Sequence, residues 1–177
     1  MEKIVLSDID NIHILDVYIE NGGFTASKKA FSQSPDDIID QVKKSGLRGR
    51  GGAAFYTGLK WSFMPKTTDK PKYLCINGDE SEPGSFKDRQ VFEFNPHQLI
   101  EGILITCYAI GAKTAYIYIR GEYHKWINLM QKALDDAYAA GYIGEAMKEK
   151  FGTEFFCNIY IHKGAGAYIC GEESSLM

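Results

Sequence analysis

Three short runs of β-forming residues alternate with two longer apolar helical segments, and this order constrains the possible folds more than any other feature of the chain. The strand candidates span 72–77, 113–120 and 155–162, and the helix candidates span 95–110 and 122–140. Parallel strands need a long crossover, usually a helix, before they can pair again. The run 113–120 lacks strict alternation, so we expect this strand to be covered on both faces. The sequence therefore predicts an α/β fold of three layers with a mostly parallel sheet.

The first quarter of the chain has a different pattern, which predicts helices without strands. Ser34 is a candidate N-cap, Pro35 fits the first helical position, and Asp37 completes a pattern like that of a capping box. We therefore divide the chain into an N-terminal helical segment, residues 1–45, and an α/β domain, residues 46–177.

Glycine is concentrated in two stretches that flank the predicted strands. Five of the residues in 46–58 are glycine, and a second glycine-rich turn spans 164–171. Glycine permits positive φ angles and lets the backbone approach a ligand closely. The loops at the expected carboxyl ends of the strands are 78–85, 121–122 and 163–173. Because ligands of parallel sheets bind at that edge, we expect the site there.

The composition argues against several other classes of function. The net charge is −3, so no overall basic field draws the chain to nucleic acid. The four cysteines form no CxxC pair, so we expect buried free thiols and neither a zinc site nor an iron–sulfur site held by this chain alone. The sequence shows no secretory signal and no bilayer-spanning run, and we expect a cytoplasmic protein without direct membrane insertion. Surface or capping positions are expected for His13, His97 and His124.

Five sequence blocks stand in this order along the chain: SGLRGRGGAAF-x-TGLKW-x-F, NGDESEPGSFKDR, HQLIEG, AYIYIRGEY and HKGAGAYICGEES. Together they resemble the NADH-binding flavoprotein subunit of respiratory complex I, the NADH:quinone oxidoreductase. Flavin subunits of NAD-reducing hydrogenases and NAD-dependent formate dehydrogenases are related to that subunit. The resemblance runs from about Ile38 to the end of the chain and corresponds to the N-terminal portion of the family subunit.

This resemblance implies that residues 46–177 form a Rossmann-like domain that binds FMN and NADH. Members of the family transfer a hydride from NADH to FMN, and electrons then pass through iron–sulfur clusters to quinone. The full-length family subunit also holds a [4Fe-4S] cluster, for which this chain has no ligands. The resemblance further implies that the domain is incomplete at its C-terminus and that the ubiquitin-like and iron–sulfur domains are absent.

The same resemblance implies partners and a location. NADH is the expected substrate. The expected protein partners are other subunits of the dehydrogenase complex, namely its small [2Fe-2S] subunit and its large iron–sulfur subunit. Nucleic acid is not an expected partner. Through such a complex, a cytoplasmic chain would lie peripherally on the inner membrane.

The resemblance also assigns site residues, with no metal ligand among them. The residues implied to bind FMN are Gly49, Arg50, Gly51, Gly52, Lys60, Asn77, Asp79, Glu80, Tyr168, Gly171 and Glu172. Those implied to bind NADH are Ala53, Phe55, Phe63, Glu82 and Glu173, and Glu82 is also the implied catalytic residue beside the nicotinamide. Carboxylates can accept hydrogen bonds from ribityl hydroxyls, and aromatic rings can stack on adenine. The chain departs from the family pattern at Ala54, where glycine is usual, and at Gly78, where alanine is usual.

Other interpretations of these residues stay open at this point. The run 48–52 is compatible with a flexible nucleic-acid contact or a plain loop, and the acidic residues of 79–82 with a solvated turn or a metal site. The two phenylalanines could pack in the core, and Glu172 and Glu173 could be favourable charges in the first turn of a helix. The chain as a whole could be a truncated non-catalytic fragment, an assembly piece, or a different nucleotide-binding α/β domain.

Overall fold

A computed structural model describes residues 5–172 and 175–176 of the chain. Within them, three strands form one parallel sheet in the order β1–β2–β3. The strands are β1 Tyr73–Gly78, β2 Thr114–Ile119 and β3 Asn158–Lys163. Each agrees in position with a predicted strand, and the prediction of an α/β fold with a parallel sheet is confirmed.

The described part of the chain also contains eight helices. They are α1 Leu15–Glu20, α2 Thr25–Phe31, α3 Pro35–Lys44, α4 Thr57–Ser62, α5 Lys87–Phe94, α6 Pro96–Ile110, α7 His124–Ala139 and α8 Met147–Phe151. The predicted N-terminal helices are therefore present, and α6 and α7 are the predicted crossovers. Helix α4 lies in a stretch that the sequence predicted only as a loop, and α5 was not predicted.

Helices α6 and α7 pack on one face of the sheet and form the main core. On that face of β2, Ala115, Ile117 and Ile119 are fully buried. They belong to one hydrophobic cluster with Leu104 of α6 and Leu134 of α7. The burial of these apolar side chains is the main force that holds the crossover helices on the sheet.

The opposite face of the sheet is open in the described part of the chain. Tyr73, Tyr116 and Tyr160 are 53%, 38% and 48% exposed, and their ring centroids lie 6.3 and 5.7 Å apart across the three strands. The expectation that β2 is covered on both faces is therefore wrong at Tyr116, the residue of this row that lies in β2. The prediction failed because the segment TAYIYI does alternate: Ala115, Ile117 and Ile119 are buried, and the tyrosines between them tolerate solvent since the phenol has a polar end.

The N-terminal helices pack into the same core as the sheet. The buried Glu101 carboxylate of α6 accepts hydrogen bonds from the backbone N–H groups of Phe24 at 3.0 Å and Ser27 at 2.8 Å, and from the Tyr18 hydroxyl. Phe24 also stacks on Tyr142, with ring centroids 4.1 Å apart. Burial is the main cause of the raised pKa of the Tyr18 phenol, and its bond to Glu101 adds to it. These contacts fix α1 and α2 against α6.

Three local predictions can be checked at single residues. The Ser34 hydroxyl accepts the Asp37 N–H at 3.2 Å, so the predicted cap of α3 is confirmed. Asn95 precedes α6 as predicted, but its amide donates to Val5 and Gln98 instead of capping the helix. His97 is fully buried, so the surface position expected for it is wrong. Burial lowers the pKa of His97 to about 4.

The four cysteines differ in burial. All four cysteines are free thiols, and three are buried as predicted, but Cys75 is exposed on the open sheet face. Among the described residues, no helix combines the length and the apolar character that crossing a bilayer requires.

Candidate functional site

A cavity of about 630 Å³ lies at the carboxyl ends of β1 and β3. Three segments form its walls: the glycine loop, residues 49–55; the acidic loop, residues 79–88; and the third loop, residues 168–172. Its lining residues are Arg50, Gly51, Gly52, Asn77, Asp79, Glu80, Ser81, Glu82, Ser85, Lys87, Asp88, Tyr168, Ile169, Cys170, Gly171 and Glu172. The volume falls in the usual range of small-molecule and cofactor sites, about 300–1,000 Å³.

Most of the residues predicted for the site line this cavity. The structure brings together Arg50, Gly51, Gly52, Asn77, Asp79, Glu80, Glu82, Tyr168, Gly171 and Glu172. Gly49, Ala53, Phe55, Lys60 and Phe63 lie in or just beyond the glycine loop but do not line the cavity. Glu173 lies outside the described residues. The loop at 121–122, which was also expected at this edge, does not contribute to the lining.

Few interactions hold the glycine loop, and its backbone is exposed. The Gly49 N–H donates to the Phe55 carbonyl at 2.9 Å and closes the loop. Cβ atoms built on Gly51 and Gly52 would meet no described atom within 4 Å. Ala54 has a φ angle of 46°, the left-handed region that costs an alanine free energy and a glycine none. The bare backbone therefore faces free space in the cavity, where a flat ligand can approach it.

Phe55 and Phe63 form an exposed aromatic pair next to the glycine loop. Their ring centroids lie 6.2 Å apart with an interplanar angle of 53°, and their side chains are 46% and 66% exposed. Core packing, the alternative open at the level of sequence, does not account for two rings with this much exposure. Exposed rings of this kind are suited to stacking on a planar ligand.

Asn77, at the end of β1, links the acidic loop to the third loop. Its amide donates to the carbonyl of Cys170 at 3.3 Å, and its amide oxygen accepts the Asp79 N–H at 3.0 Å. The Asp79 carboxylate accepts from the Ser81 hydroxyl at 2.9 Å. Asp79 is only partly buried, so its carboxylate keeps lone pairs that can accept from hydroxyl groups of a ligand.

Glu80 and Glu82 have different environments although they are two residues apart. The Glu80 side chain is 1% exposed and pairs with Arg89 at 3.0 Å. Burial opposes the ionisation of Glu80, but bonds from the Asp88 N–H and from Arg89 outweigh this effect and lower its pKa. Glu82 is exposed and accepts a hydrogen bond from the Tyr168 hydroxyl of the third loop. This bond raises the pKa of Tyr168.

Several residues of the cavity were not singled out from the sequence. They are Ser81, Ser85, Lys87, Asp88, Ile169 and Cys170. All of them lie inside the two blocks NGDESEPGSFKDR and HKGAGAYICGEES, so their position between predicted residues was the available signal. Burial is the first cause of the raised pKa of the Cys170 thiol. The bond between Tyr118 and Cys170 is the first cause that raises the pKa of Tyr118 to about 12.

A parallel sheet with a glycine-lined, acidic cavity at the carboxyl ends of its strands defines an α/β domain that binds a nucleotide cofactor. Among the described residues, no group of three or more His, Cys, Asp or Glu side chains could hold a metal ion. Residues 42–177 match the family described as the Nuo51 FMN-binding domain, and the chain belongs to this family. The predicted membership in the complex I flavoprotein family is thus confirmed.

Similar proteins of known name agree with this assignment. The F 2 subunit of NADH-quinone oxidoreductase from Rhizobium meliloti (strain 1021) is 51% identical over 99% of this chain and 42% of its own length. The F subunit of the same enzyme from Rickettsia typhi (strain ATCC VR-144 / Wilmington) is 58% identical over 89% of this chain and 37% of its own length. The chain thus spans about two fifths of the length of these curated relatives.

A solved structure shares the fold. The crystal structure of an NAD⁺-reducing [NiFe]-hydrogenase in the H₂-reduced state matches with a TM-score of 0.72 and 34% sequence identity. The match covers 92% of this chain and 27% of the hydrogenase chain.

Proposed function

We propose that this chain is the FMN- and NADH-binding part of an NADH dehydrogenase that acts as the electron-input module of an NADH:quinone oxidoreductase. The observation that carries the proposal is the cavity of about 630 Å³, which gathers ten of the predicted residues from three separate loops and the end of β1. Membership in the FMN-binding family and the names of the curated relatives support it.

The residues present fit FMN. Gly51 and Gly52 present bare backbone to the cavity, and a flat ring system can lie against it. Asn77 and Asp79 offer a polar edge with acceptors for ribityl hydroxyls. Arg50 brings positive charge to the same cavity, which favours a phosphate, and Lys87, also in the lining, is paired with Asp88 at 2.6 Å. Tyr168, Gly171 and Glu172 form the opposite wall.

FMN, when bound, supplies the chemistry that accepts a hydride and releases single electrons. The protein then has to hold NADH in position and exclude water. We assign the adenine contact to Phe55 and Phe63 and a further NADH contact to the Ala53 backbone; Glu173, also predicted to bind NADH, lies outside the described residues. We also assign a flavin contact to Lys60, which is exposed on α4. Glu82, held by the Tyr168 hydroxyl, is the acceptor that would position the nicotinamide end.

The partners and the location follow from the same proposal. We propose that the chain works with the small [2Fe-2S] subunit and the large iron–sulfur subunit of the dehydrogenase, and that it lies peripherally on the inner membrane within such a complex. The hydrogenase match favours a second candidate, the flavin subunit of an NAD-linked hydrogenase. The identity of 51–58% to the two quinone oxidoreductase relatives exceeds the 34% to the hydrogenase, so the first candidate is preferred.

The test uses the purified chain. FMN is titrated while its fluorescence is followed, and NADH-dependent reduction of ferricyanide is then measured. We expect saturable FMN binding and NADH oxidation. Phe63→Ala should raise the KM for NADH up to about tenfold, because stacking on one ring is worth about 0.5–1.5 kcal/mol.

A matched control is Tyr160→Ala, which removes another exposed ring, this one from the open sheet face. This variant should leave FMN binding and the KM for NADH unchanged. Absence of FMN binding would refute the proposal. Binding without NADH oxidation would point to a nucleotide-binding α/β domain of another kind or to a non-catalytic fragment.

A further inference from the structure

Arg89, in the first turn of α5, is bonded to two points of the acidic loop. Its Nε donates to Glu80 Oε2 at 3.0 Å, and its Nη2 donates to the backbone carbonyl of Ser85. The Arg89 side chain is 29% exposed, and that of Glu80 only 1%. One guanidinium therefore ties together both ends of the segment 80–85.

Glu80 in turn fixes the start of α5. Its Oε1 accepts the Asp88 N–H at 2.8 Å, and its Oε2 accepts the Arg89 N–H at 3.3 Å. Among the described residues, the N-cap residue Phe86 makes no side-chain capping bond. The Glu80 carboxylate, which lies several residues before α5 in the chain, caps the helix instead. It accepts hydrogen bonds from backbone N–H groups that have no partner within the helix.

The other side of Arg89 rests on aromatic rings at the start of α7. The guanidinium carbon lies 5.0 Å from the ring centroid of Tyr123 and 5.5 Å from that of Trp126. The Tyr123 hydroxyl donates to the backbone carbonyl of Glu80. The acidic loop is thereby connected to α7, which is part of the main core. A planar, forked guanidinium can serve the carboxylate, the carbonyl and the rings together, and an ammonium group cannot.

We propose that Arg89 is a positioning residue that holds the acidic loop as a wall of the cofactor cavity. Arg89 itself is not among the residues that line the cavity, whereas its neighbours Lys87 and Asp88 are. Arg89 acts through Glu80, whose two carboxylate oxygens accept hydrogen bonds from Asp88 and Arg89. That the cofactor is FMN rests on the function proposed above; the clamp itself is a property of this fold.

The experiment compares Arg89→Gln and Arg89→Lys with the matched control Arg120→Gln. Arg120 also lies near the Tyr123 ring, at 5.9 Å, but its ion pair is with the exposed Glu122 and not with the acidic loop. We expect the Kd for FMN to rise about tenfold in Arg89→Gln, the equivalent of one charge-assisted hydrogen bond. Arg89→Lys should recover only part of that loss, and Arg120→Gln should bind as the wild type does.

Two further readouts separate positioning from general destabilisation. Amide hydrogen exchange should accelerate in residues 81–88 of Arg89→Gln while α3 keeps its protection. Glu80→Gln should weaken FMN binding as Arg89→Gln does, and the double variant should lose no more than either single one, because both residues act through one clamp. An unchanged Kd in Arg89→Gln, or additive losses in the double variant, would overturn the proposal.

If the wild-type chain does not bind FMN, the proposed function fails and the clamp is judged by hydrogen exchange alone. Faster exchange of residues 81–88 in Arg89→Gln than in Arg120→Gln then supports the clamp. Equal exchange in the two variants refutes it.

Discussion

The glycine loop and the acidic loop face the same cavity, but different interactions hold them in place. The acidic loop contains a buried carboxylate that is paired with Arg89 and bonded to two backbone N–H groups of α5. The glycine loop is closed by the bond from Gly49 to Phe55 and has exposed backbone at Gly51 and Gly52. The acidic loop is thus held by buried interactions, and the glycine loop exposes its backbone to the cavity.

Mutations in a binding site often change folding stability and ligand binding together, and the difference between the two loops allows these effects to be separated. Changes in the acidic loop should reduce folding stability and binding together, because the interactions that shape the wall are buried. Changes in the glycine loop should reduce binding and leave stability almost unchanged, because a new side chain there enters free space. Four predictions test this contrast.

Replacement Glu80→Ala should lower the free energy of unfolding by about 3 kcal/mol, because it leaves a mostly buried Arg89 unpaired and uncaps α5. Urea denaturation measures the change. Lys132→Ala is the control, since its pair with Asp136 is exposed at 72% and 39% and is worth less than about 1 kcal/mol. Equal losses in the two variants would contradict the contrast between the walls.

Replacement Gly52→Leu should weaken FMN binding about thirtyfold, roughly 2 kcal/mol, because the new side chain occupies the cavity. Its melting temperature should stay close to that of the wild type, since a Cβ at Gly52 meets no described atom within 4 Å. Gly102→Leu, on the exposed side of α6 and equally free of neighbours, is the control for both measurements. A large fall in melting temperature would show that the glycine loop is also part of the folded core.

Acidification should weaken the acidic loop through protonation of Glu80. The folded-state pKa of Glu80 lies below its value in the unfolded chain, so its contribution to stability is fully present above the unfolded pKa. That contribution is lost as the pH falls through the folded-state pKa, which lies below the ordinary value of a glutamate. Unfolding measured from about pH 6 to about pH 3 should therefore show a smaller decrease in Glu80→Gln than in the wild type. Parallel decreases would refute the assigned role of Glu80.

The smallest effect is expected at Ala54. Its φ of 46° strains an alanine by about 1 kcal/mol, and Ala54→Gly removes this strain while it increases the entropy of the unfolded chain. The net gain in unfolding free energy should be about 0.5 kcal/mol. Calorimetry can measure it, with Ala53→Gly as the control without a positive φ. A loss of stability at position 54 would mean that the alanine side chain has packing partners in solution.

Much of the fold could be predicted because local signals and hydrophobic patterns agree in this chain. Ser34 and Pro35 marked the start of α3, and the three β-forming runs became the three strands. The predictions failed where burial depends on remote contacts. His97 is buried beneath Tyr18, a residue far earlier in the chain, with ring centroids 5.7 Å apart. Helix α5 was missed because its cap, Glu80, comes from outside the helix and well before its first turn.

The sequence alone identified the family through five ordered blocks. It also located the strands along the chain and most of the segments that line the cavity, because glycines and carboxylates mark such loops through their own chemistry. It did not determine which carboxylate of the acidic loop is buried. Asp79, Glu80 and Glu82 are alike in a polar stretch, and only the folded chain places Arg89 and Tyr123 beside one of them. Only the tertiary structure shows that the Glu80 carboxylate is buried against Arg89, whereas the exposed Glu82 accepts a hydrogen bond from Tyr168. The physical reason is that a buried charge requires partners, and in this chain those partners come from helices that other parts of the sequence build.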